Sequence, residues 1–134
     1  MTLEFSNETT RIYYDSTIPG LVQVWTGFAS GEPLRAAHEA FLRLQRHHRT
    51  AKSLSDLRAM RVISHRDQQW IETEFFPRAL AANYRTVAIV LGADVFNQVS
   101  VRNILGRLVG QGSFRAENFA DEAAARAWLR QQDG

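Results

Sequence analysis

The feature that most constrains the fold is an unbroken apolar run from Val87 to Leu91. A strand that is apolar at every position needs cover on both faces, which is typical of a central strand in a layered α/β sheet. The run is also far shorter than the roughly 20 residues that a membrane-spanning helix needs. It therefore predicts a sheet with helices packed against it.

Two segments near the start of the chain predict an antiparallel hairpin. Arg11–Asp15 and Leu21–Trp25 are rich in strand-forming residues, and the Pro19-Gly20 pair between them is typical of a turn. Alternate side chains of the second segment would point to opposite faces of the sheet.

Apolar residues at helical spacing predict four helices. The first follows Ser30, the second follows the capping-box pair Ser64 and Asp67, the third covers residues 101–108, and the fourth follows Asp121. Each begins after a residue type that commonly caps a helix or after a loop.

Two further strands, Lys52–Leu57 and Phe114–Phe119, complete the pattern. The order of elements is β-β-α-β-α-β-α-β-α, with about five strands and four helices. Because parallel neighbours are joined by helical crossovers, this order predicts an α/β fold with a single mixed β-sheet. The 134 residues contain no linker, so we expect one domain over residues 1–134.

The composition argues against several kinds of function. The chain has no cysteine, which excludes disulfides and thiolate metal sites. The formal net charge of +2 is weak evidence for nucleic acid, because phosphate-binding proteins usually concentrate their cations in a patch. The first residues lack the cationic start and apolar stretch of a signal peptide. We therefore expect a cytoplasmic protein with no nucleic-acid partner and no membrane partner.

The four histidines show no spacing that would hold a metal ion. Ser64, His65 and Asp67 have the composition of a catalytic triad, but their spacing suits a helix cap and no nucleophile elbow accompanies them. We therefore predict no cofactor, no metal and no catalytic residue. A small enzyme that uses Asp56 and His65 is a minor alternative.

Polar side chains follow two of the predicted parallel strands. Asp56 and Arg58 close the third strand, and Asn97 and Gln98 follow the fourth. Because the carboxyl ends of parallel strands gather at one edge, where ligands usually bind, these residues are candidates for a binding surface. The structural alternative pairs Arg58 with Asp56 or Glu74 and uses Asn97 as a helix cap.

In this order, the segments of the chain resemble a STAS-type domain, the fold of bacterial anti-sigma factor antagonists. The resemblance is closest to a bacterial branch of small single-domain members with no assigned chemistry, and it covers about residues 10–130. The residues that carry it are Ser55-Asp56-Leu57-Arg58, Trp70-Ile71-Glu72, Phe76-Pro77-Arg78, Val87-Ala88-Ile89-Val90, Asp94-Val95-Phe96-Asn97-Gln98 and Ala127-Trp128-Leu129.

The resemblance implies a non-enzymatic domain for regulation, signalling or protein–protein interaction. Its protein partner would dock on the second helix and on the loop from Asp56 to His65, with Trp70 at the contact surface. Regulatory members of the family place a phosphorylatable serine or threonine, and then glycine, after the strand-ending aspartate. Here Leu57 and Arg58 follow Asp56, so the classical phospho-switch serine is not evident.

A different class of function stays open beside this one. Some relatives of the fold are suspected of holding apolar ligands between the sheet and the helices, which would here involve Trp25, Trp70 and Phe96. A carrier or sensor of this kind needs a cavity of several hundred Å³. A homodimer, formed through an edge strand or the second helix, is also compatible with the sequence.

Overall fold

The computed structural model describes residues 1–92, 102, 103, 106 and 114–132. The strands in this part of the chain are β1 (Thr2–Ser6), β2 (Thr10–Asp15), β3 (Gly20–Gly27), β4 (Lys52–Met60), β5 (Thr86–Val90) and β6 (Arg115–Phe119). The helical segments are α1 (Gly31–His48), α2 (His65–Trp70), a π-helical turn (Ile71–Phe75), α3 (Phe76–Ala81) and α4 (Glu122–Arg130). The segments α2, the π-helical turn and α3 follow one another without a break.

The described strands form one sheet in chain order, from β1 to β6. β1, β2 and β3 are antiparallel neighbours, whereas β3, β4, β5 and β6 run parallel. The prediction of an α/β fold with a single mixed sheet is therefore confirmed. The predicted number of about five strands is wrong, since the described part of the chain has six.

The strand that the sequence pattern did not lead us to expect is β1. It lies at the edge of the sheet and pairs with β2, from Thr2 opposite Tyr14 to Ser6 opposite Arg11. Its side chains are exposed or half-buried, so it depends more on this long-range ladder than on a buried face. Its short alternation of polar and apolar residues was nevertheless a usable signal.

The two faces of the sheet carry separate cores. In β5, Val87 and Ile89 pack in the core beneath α1 and α3, whereas Ala88 and Val90 pack in the core beneath α4. All four side chains are buried. The prediction that this strand is covered on both faces is therefore confirmed, although the strand lies next to the edge strand β6 and not at the centre of the sheet.

β4 extends beyond its predicted end at Leu57. It pairs with β5 as far as Asp56, which lies opposite Val90, and then continues along β3 until Met60 lies opposite Gly27. The interpretation of Asp56 as a strand-ending residue is therefore wrong. Asp56 is instead the last residue of the ladder between β4 and β5.

Ser64 caps the second helical region as predicted, because its hydroxyl accepts a hydrogen bond from the Asp67 N–H at 3.1 Å. The Asp67 carboxylate accepts from the Ser64 hydroxyl at 2.8 Å and from the Gly31 N–H at 3.2 Å. The second of these bonds ties the start of α2 to the start of α1, which the capping-box pattern did not predict. Farther along, the π-helical turn ends at Phe75, two residues before Pro77, and Asn83 follows the region with a left-handed φ of 76°.

The other predicted helix starts agree with the structure in position. α1 begins after Ser30, although the Ser30 side chain makes no capping hydrogen bond. α4 begins after Asp121, whose carboxylate accepts from the Ala124 N–H at 2.8 Å. The predicted third helix lies mostly outside the described residues. Among the described helices, none is long and apolar enough to cross a membrane.

Candidate functional site

An exposed apolar patch lies where β3 and β4 end side by side. The Arg61 N–H donates to the Gly27 carbonyl at 2.9 Å, which holds the two strand ends together. Phe28 is 62% exposed and Val62 is 44% exposed. The Arg61 guanidinium lies over the Phe28 ring, 5.2 Å from its centroid. We call these three side chains, Phe28, Arg61 and Val62, the edge patch.

The surface next to the edge patch is rich in cations. The exposed ionisable side chains between residues 57 and 71 are Arg58, Arg61, His65 and Arg66. The one carboxylate in this stretch, Asp67, is buried and accepts the two hydrogen bonds at the helix starts. This surface therefore presents apolar side chains beside guanidinium groups.

The Asp56 carboxylate is engaged by Arg58. Arg58 donates from Nε to Oδ1 at 2.9 Å and from Nη2 to Oδ2 at 2.7 Å, and its N–H also reaches Oδ1 at 3.2 Å. The hydrogen bonds from the Arg58 side chain lower the pKa of Asp56 below its ordinary value, although partial burial opposes this. The structural alternative for these two residues therefore holds, and the carboxylate is not open to a ligand.

A chain of ion pairs continues from Asp56 and Arg58 along α4. Arg58 Nη2 lies 3.5 Å from Glu122 Oε1, and Arg126 Nε donates to Glu122 Oε2 at 3.1 Å. Arg126 also pairs with Asp15 at the end of β2. The five side chains join β4, α4 and β2, and they hold α4 against its face of the sheet.

Of the remaining predicted surface residues, the structure describes His65 and Trp70. His65 is exposed as the first residue of α2, close in sequence to the edge patch. Trp70, the last residue of α2, is half-buried, and the guanidinium group of Arg35 on α1 lies 5.5 Å from the centre of its ring. Asn97 and Gln98 lie outside the described residues.

A small, partly open pocket of about 100 Å³ lies between the sheet and the helices, and we call it the cavity. Trp25, from the predicted apolar pocket, lines it. Trp70 is not among the described lining residues, although its ring contacts His38 with centroids 5.8 Å apart. Phe96 lies outside the described residues. The volume is below the several hundred Å³ that ligand pockets usually have.

Polar side chains form part of the cavity wall. His38 is buried on α1, and its Nδ1 donates to the Leu34 carbonyl at 2.8 Å. Burial lowers the pKa of His38 to about 4, so the ring is neutral at neutral pH. Opposite it in the wall, the Ser55 hydroxyl donates to Gln23 Oε1 at 2.7 Å, which fixes the orientation of that amide.

Sequence reasoning singled out neither Gln23 nor His38 as functional. The signal available for Gln23 was its place on the same strand face as two core residues, Leu21 and Trp25. For His38 it was a helical spacing that puts the imidazole between Leu34 and Phe41, on the buried side of α1. A polar residue on an apolar face often has a specific partner, but a local pattern does not identify that partner.

Compared with known proteins, the chain matches no family model, no curated protein and no solved structure at a significant level. Within the described residues, no three His, Asp or Glu side chains come together in a way that could hold a metal ion.

Proposed function

We propose that this chain is a non-enzymatic, STAS-like regulatory domain that binds a protein partner through the edge patch. The partner presents an apolar residue within an acidic surface. The observation that carries the proposal is the largely exposed Phe28 beneath the Arg61 guanidinium, at the carboxyl edge of the parallel strands.

The residue types of the edge patch favour a protein partner. Exposed aromatic side chains and arginines are the types that most often dominate the energy of protein interfaces. An exposed phenylalanine costs solvation free energy, which burial against a partner recovers. The backbone bond between Arg61 and Gly27 fixes the patch on strand ends, so little order has to be gained on binding.

The charge of the surface around the edge patch indicates the charge that a partner's surface should carry. Arg61 and Arg66 have no carboxylate partner among the described residues, whereas Arg58 is held by Asp56 and Glu122. Two uncommitted guanidinium groups beside an apolar patch complement carboxylates set around an apolar side chain. An acidic protein surface therefore suits this edge better than a basic or a purely apolar one.

The position of the edge patch agrees with the resemblance described above. The segment from Asp56 to His65 is where the resemblance leads us to expect docking, and Arg61 and Val62 lie in the part of it that follows β4. No phosphorylatable residue follows Asp56 directly, which favours constitutive contacts over a phosphate switch. Docking of this kind needs no catalytic group.

Site-specific photo-cross-linking, followed by an affinity measurement, tests the proposal. A photoreactive phenylalanine analogue replaces Val62, and in a control protein it replaces Ala127, which is exposed on α4. We expect an acidic protein from the source cells to be captured from position 62 and not from position 127. Its capture from both positions, or from neither, would contradict the proposed surface.

The captured protein must then bind through the patch. We expect Phe28→Ser to weaken binding of the purified partner by about tenfold or more, as for a residue at the centre of an interface. Leu3→Ser is the matched control, because Leu3 is also exposed but lies on β1. Equal affinity of the wild type and Phe28→Ser would refute the proposal.

A further inference from the structure

An open groove lined by arginines lies between the last turns of α1 and α3. It consists of two neighbouring hollows of about 490 and 530 Å³, and both have Arg46 and Arg78 in their walls. Arg49 lines the smaller hollow and Arg43 lines the larger one. All four side chains are exposed. We call the two hollows together the basic groove.

Three of the four guanidinium groups in the basic groove are uncommitted. Arg78 is paired, since it donates to both carboxylate oxygens of Glu39, at 2.5 and 3.1 Å, and this contact lowers the pKa of Glu39. Glu39 is the one carboxylate among the described residues that line the groove. Within the part of the chain that the structure describes, the side chains of Arg43, Arg46 and Arg49 make no ion pair and no hydrogen bond.

The helix ends beside the basic groove do not use these cations as caps. Arginine side chains near the end of a helix often bind its last carbonyl groups. Here the Gln45 amide donates to the carbonyls of Ala79 and Ala82, at 3.2 Å each, and so closes the end of α3. The end of α1 is closed by the backbone N–H groups of Arg49 and Thr50, which both donate to the Gln45 carbonyl. The uncommitted guanidinium groups therefore remain open to a ligand.

The spacing of these arginines suits a ligand with more than one anionic group. Arg43 and Arg46 are three residues apart on α1, which places them on the same side of the helix, and Arg49 follows directly after its end. At a rise of about 1.5 Å per residue, the three positions span about 9 Å. One guanidinium group binds one phosphate group with two parallel hydrogen bonds. Three of them over this length therefore match two neighbouring phosphate groups.

The walls of the basic groove favour a small molecule over a nucleic acid or a membrane. Sites for single-stranded nucleic acid combine cations with aromatic side chains on which bases stack, and none of the described lining residues is Phe, Tyr or Trp. Attachment to a membrane surface needs exposed apolar side chains. The large ones that are exposed in the described ranges lie elsewhere and are Met1, Leu3, Phe28 and Val62. Each hollow has a volume in the usual range for small-molecule sites, roughly 300–1,000 Å³.

We propose that the basic groove binds a small molecule with two neighbouring phosphate groups. The groove includes Thr50 and Asn83, which come shortly before β4 and β5, so it lies at the edge where these parallel strands begin. The edge patch lies where β3 and β4 end. The two sites are therefore on opposite edges of the sheet, and the phosphate site goes beyond the proposed function.

Isothermal titration calorimetry of the full chain with inorganic pyrophosphate tests this site. We expect Arg46→Gln to weaken pyrophosphate binding about tenfold, because Arg46 lines both hollows and its charged hydrogen bonds are lost. Arg11→Gln is the matched control, because it removes the same charge from an exposed arginine on β2 that does not line the groove. We expect Arg11→Gln to bind pyrophosphate as the wild type does.

Three comparison ligands distinguish the proposed ligand from related anions. We expect inorganic phosphate, which has one group instead of two, to bind about tenfold more weakly than pyrophosphate. We expect neither a single-stranded oligonucleotide nor vesicles that contain a phosphorylated inositol lipid to bind more tightly than pyrophosphate. No binding of pyrophosphate, an equal loss in Arg46→Gln and Arg11→Gln, equal affinity for phosphate, or tighter binding of the oligonucleotide or the vesicles would overturn the proposal.

Discussion

Asp56 and Arg58 form a two-pronged ion pair across two residues of one strand, with Nε–Oδ1 and Nη2–Oδ2 distances of 2.9 and 2.7 Å. Side chains two apart on a strand share a face, so the pair forms without any special turn. Through the contact of Arg58 with Glu122, the pair connects Asp56 to α4, so the aspartate does not lie at an open strand end. The residue that carries part of the family resemblance therefore has a structural role here.

The Asp56–Arg58 pair predicts a dependence of stability on acid. The pKa of Asp56 is lowered in the folded state, so its contribution is present above the unfolded value near 4 and is lost as the pH falls below it. We expect Arg58→Met to lower the free energy of unfolding at pH 7 by roughly 1 kcal/mol, because Arg58 is about half exposed. Urea denaturation of both proteins at pH 7 and pH 3 checks this. An equal effect of the substitution at both values would contradict it.

Gly92 makes a close backbone contact just after β5. A Cβ at this position would lie 2.5 Å from the Arg58 carbonyl oxygen, which is too close for any side chain. We expect Gly92→Ala to destabilise the fold by roughly 2 kcal/mol or more, since backbone has to move. Gly106→Ala is the matched control, because a Cβ at Gly106 would meet nothing within 4 Å. Chemical denaturation that finds the two variants equally stable would refute the expected clash.

The burial of His38 predicts a second, separate dependence of the free energy of unfolding on pH. Its pKa is lowered from 6.5 to about 4 by burial, so the unfolded chain takes up a proton first as the pH falls. The contribution of neutral His38 to the free energy of unfolding is complete above the unfolded pKa near 6.5. It is lost progressively as the pH falls from that value to 4. We expect roughly 3 kcal/mol to be lost over this range.

NMR measures the titration of His38 directly. We expect its ring proton resonances to stay unchanged from pH 8 down to about 5. In His38→Phe, the part of the pH dependence of unfolding between pH 6.5 and pH 4 should be smaller. A midpoint for His38 near its ordinary value would show that the ring is not buried as described.

Lys52 is a buried cation, and we expect its hydrogen bonds to stabilise the fold. Its ammonium group donates to the carbonyls of Ile18 and Leu129, at 3.3 and 2.9 Å, and so joins the turn before β3 to the end of α4. We expect Lys52→Met to keep the packing of the stem but to lower the free energy of unfolding by roughly 1–3 kcal/mol, because two buried carbonyls lose a donor. Thermal unfolding checks this against Arg130→Met, which alters an exposed cation on α4. Equal stability of the two variants would contradict the role of Lys52.

Local patterns predicted those elements whose stability depends on local alternation or on caps. The apolar run of β5 and the caps at Ser64 and Asp121 were visible in the sequence because each acts within a few residues. β1 and the last residues of β4 depend on ladders with strands far away in the chain. Such pairing leaves no pattern within the segment itself. The sequence therefore does not predict β1, and it predicts an end of β4 that is too early.

The candidate sites were less predictable than the fold for the same reason. An exposed Phe28 looks like any core phenylalanine in the sequence, and only the end of β3 leaves it at the surface. The cavity requires Gln23 on β3, Ser55 on β4 and His38 on α1 to meet, which depends on register and crossover together. The sequence identifies Asp56 and Arg58 as candidates, but it does not decide whether they pair with each other or form a binding surface.

The central claim is that an acidic partner docks on the edge patch. The most direct test is the dissociation constant of the captured partner for Arg66→Glu, because Arg66 is exposed and its reversal leaves the Asp56–Arg58 pair intact. The matched control is Arg130→Glu at the far end of α4. We predict that Arg66→Glu weakens binding about tenfold in low salt, with a smaller effect in high salt, while Arg130→Glu binds as the wild type does. Equal dissociation constants for the two reversals would contradict the account.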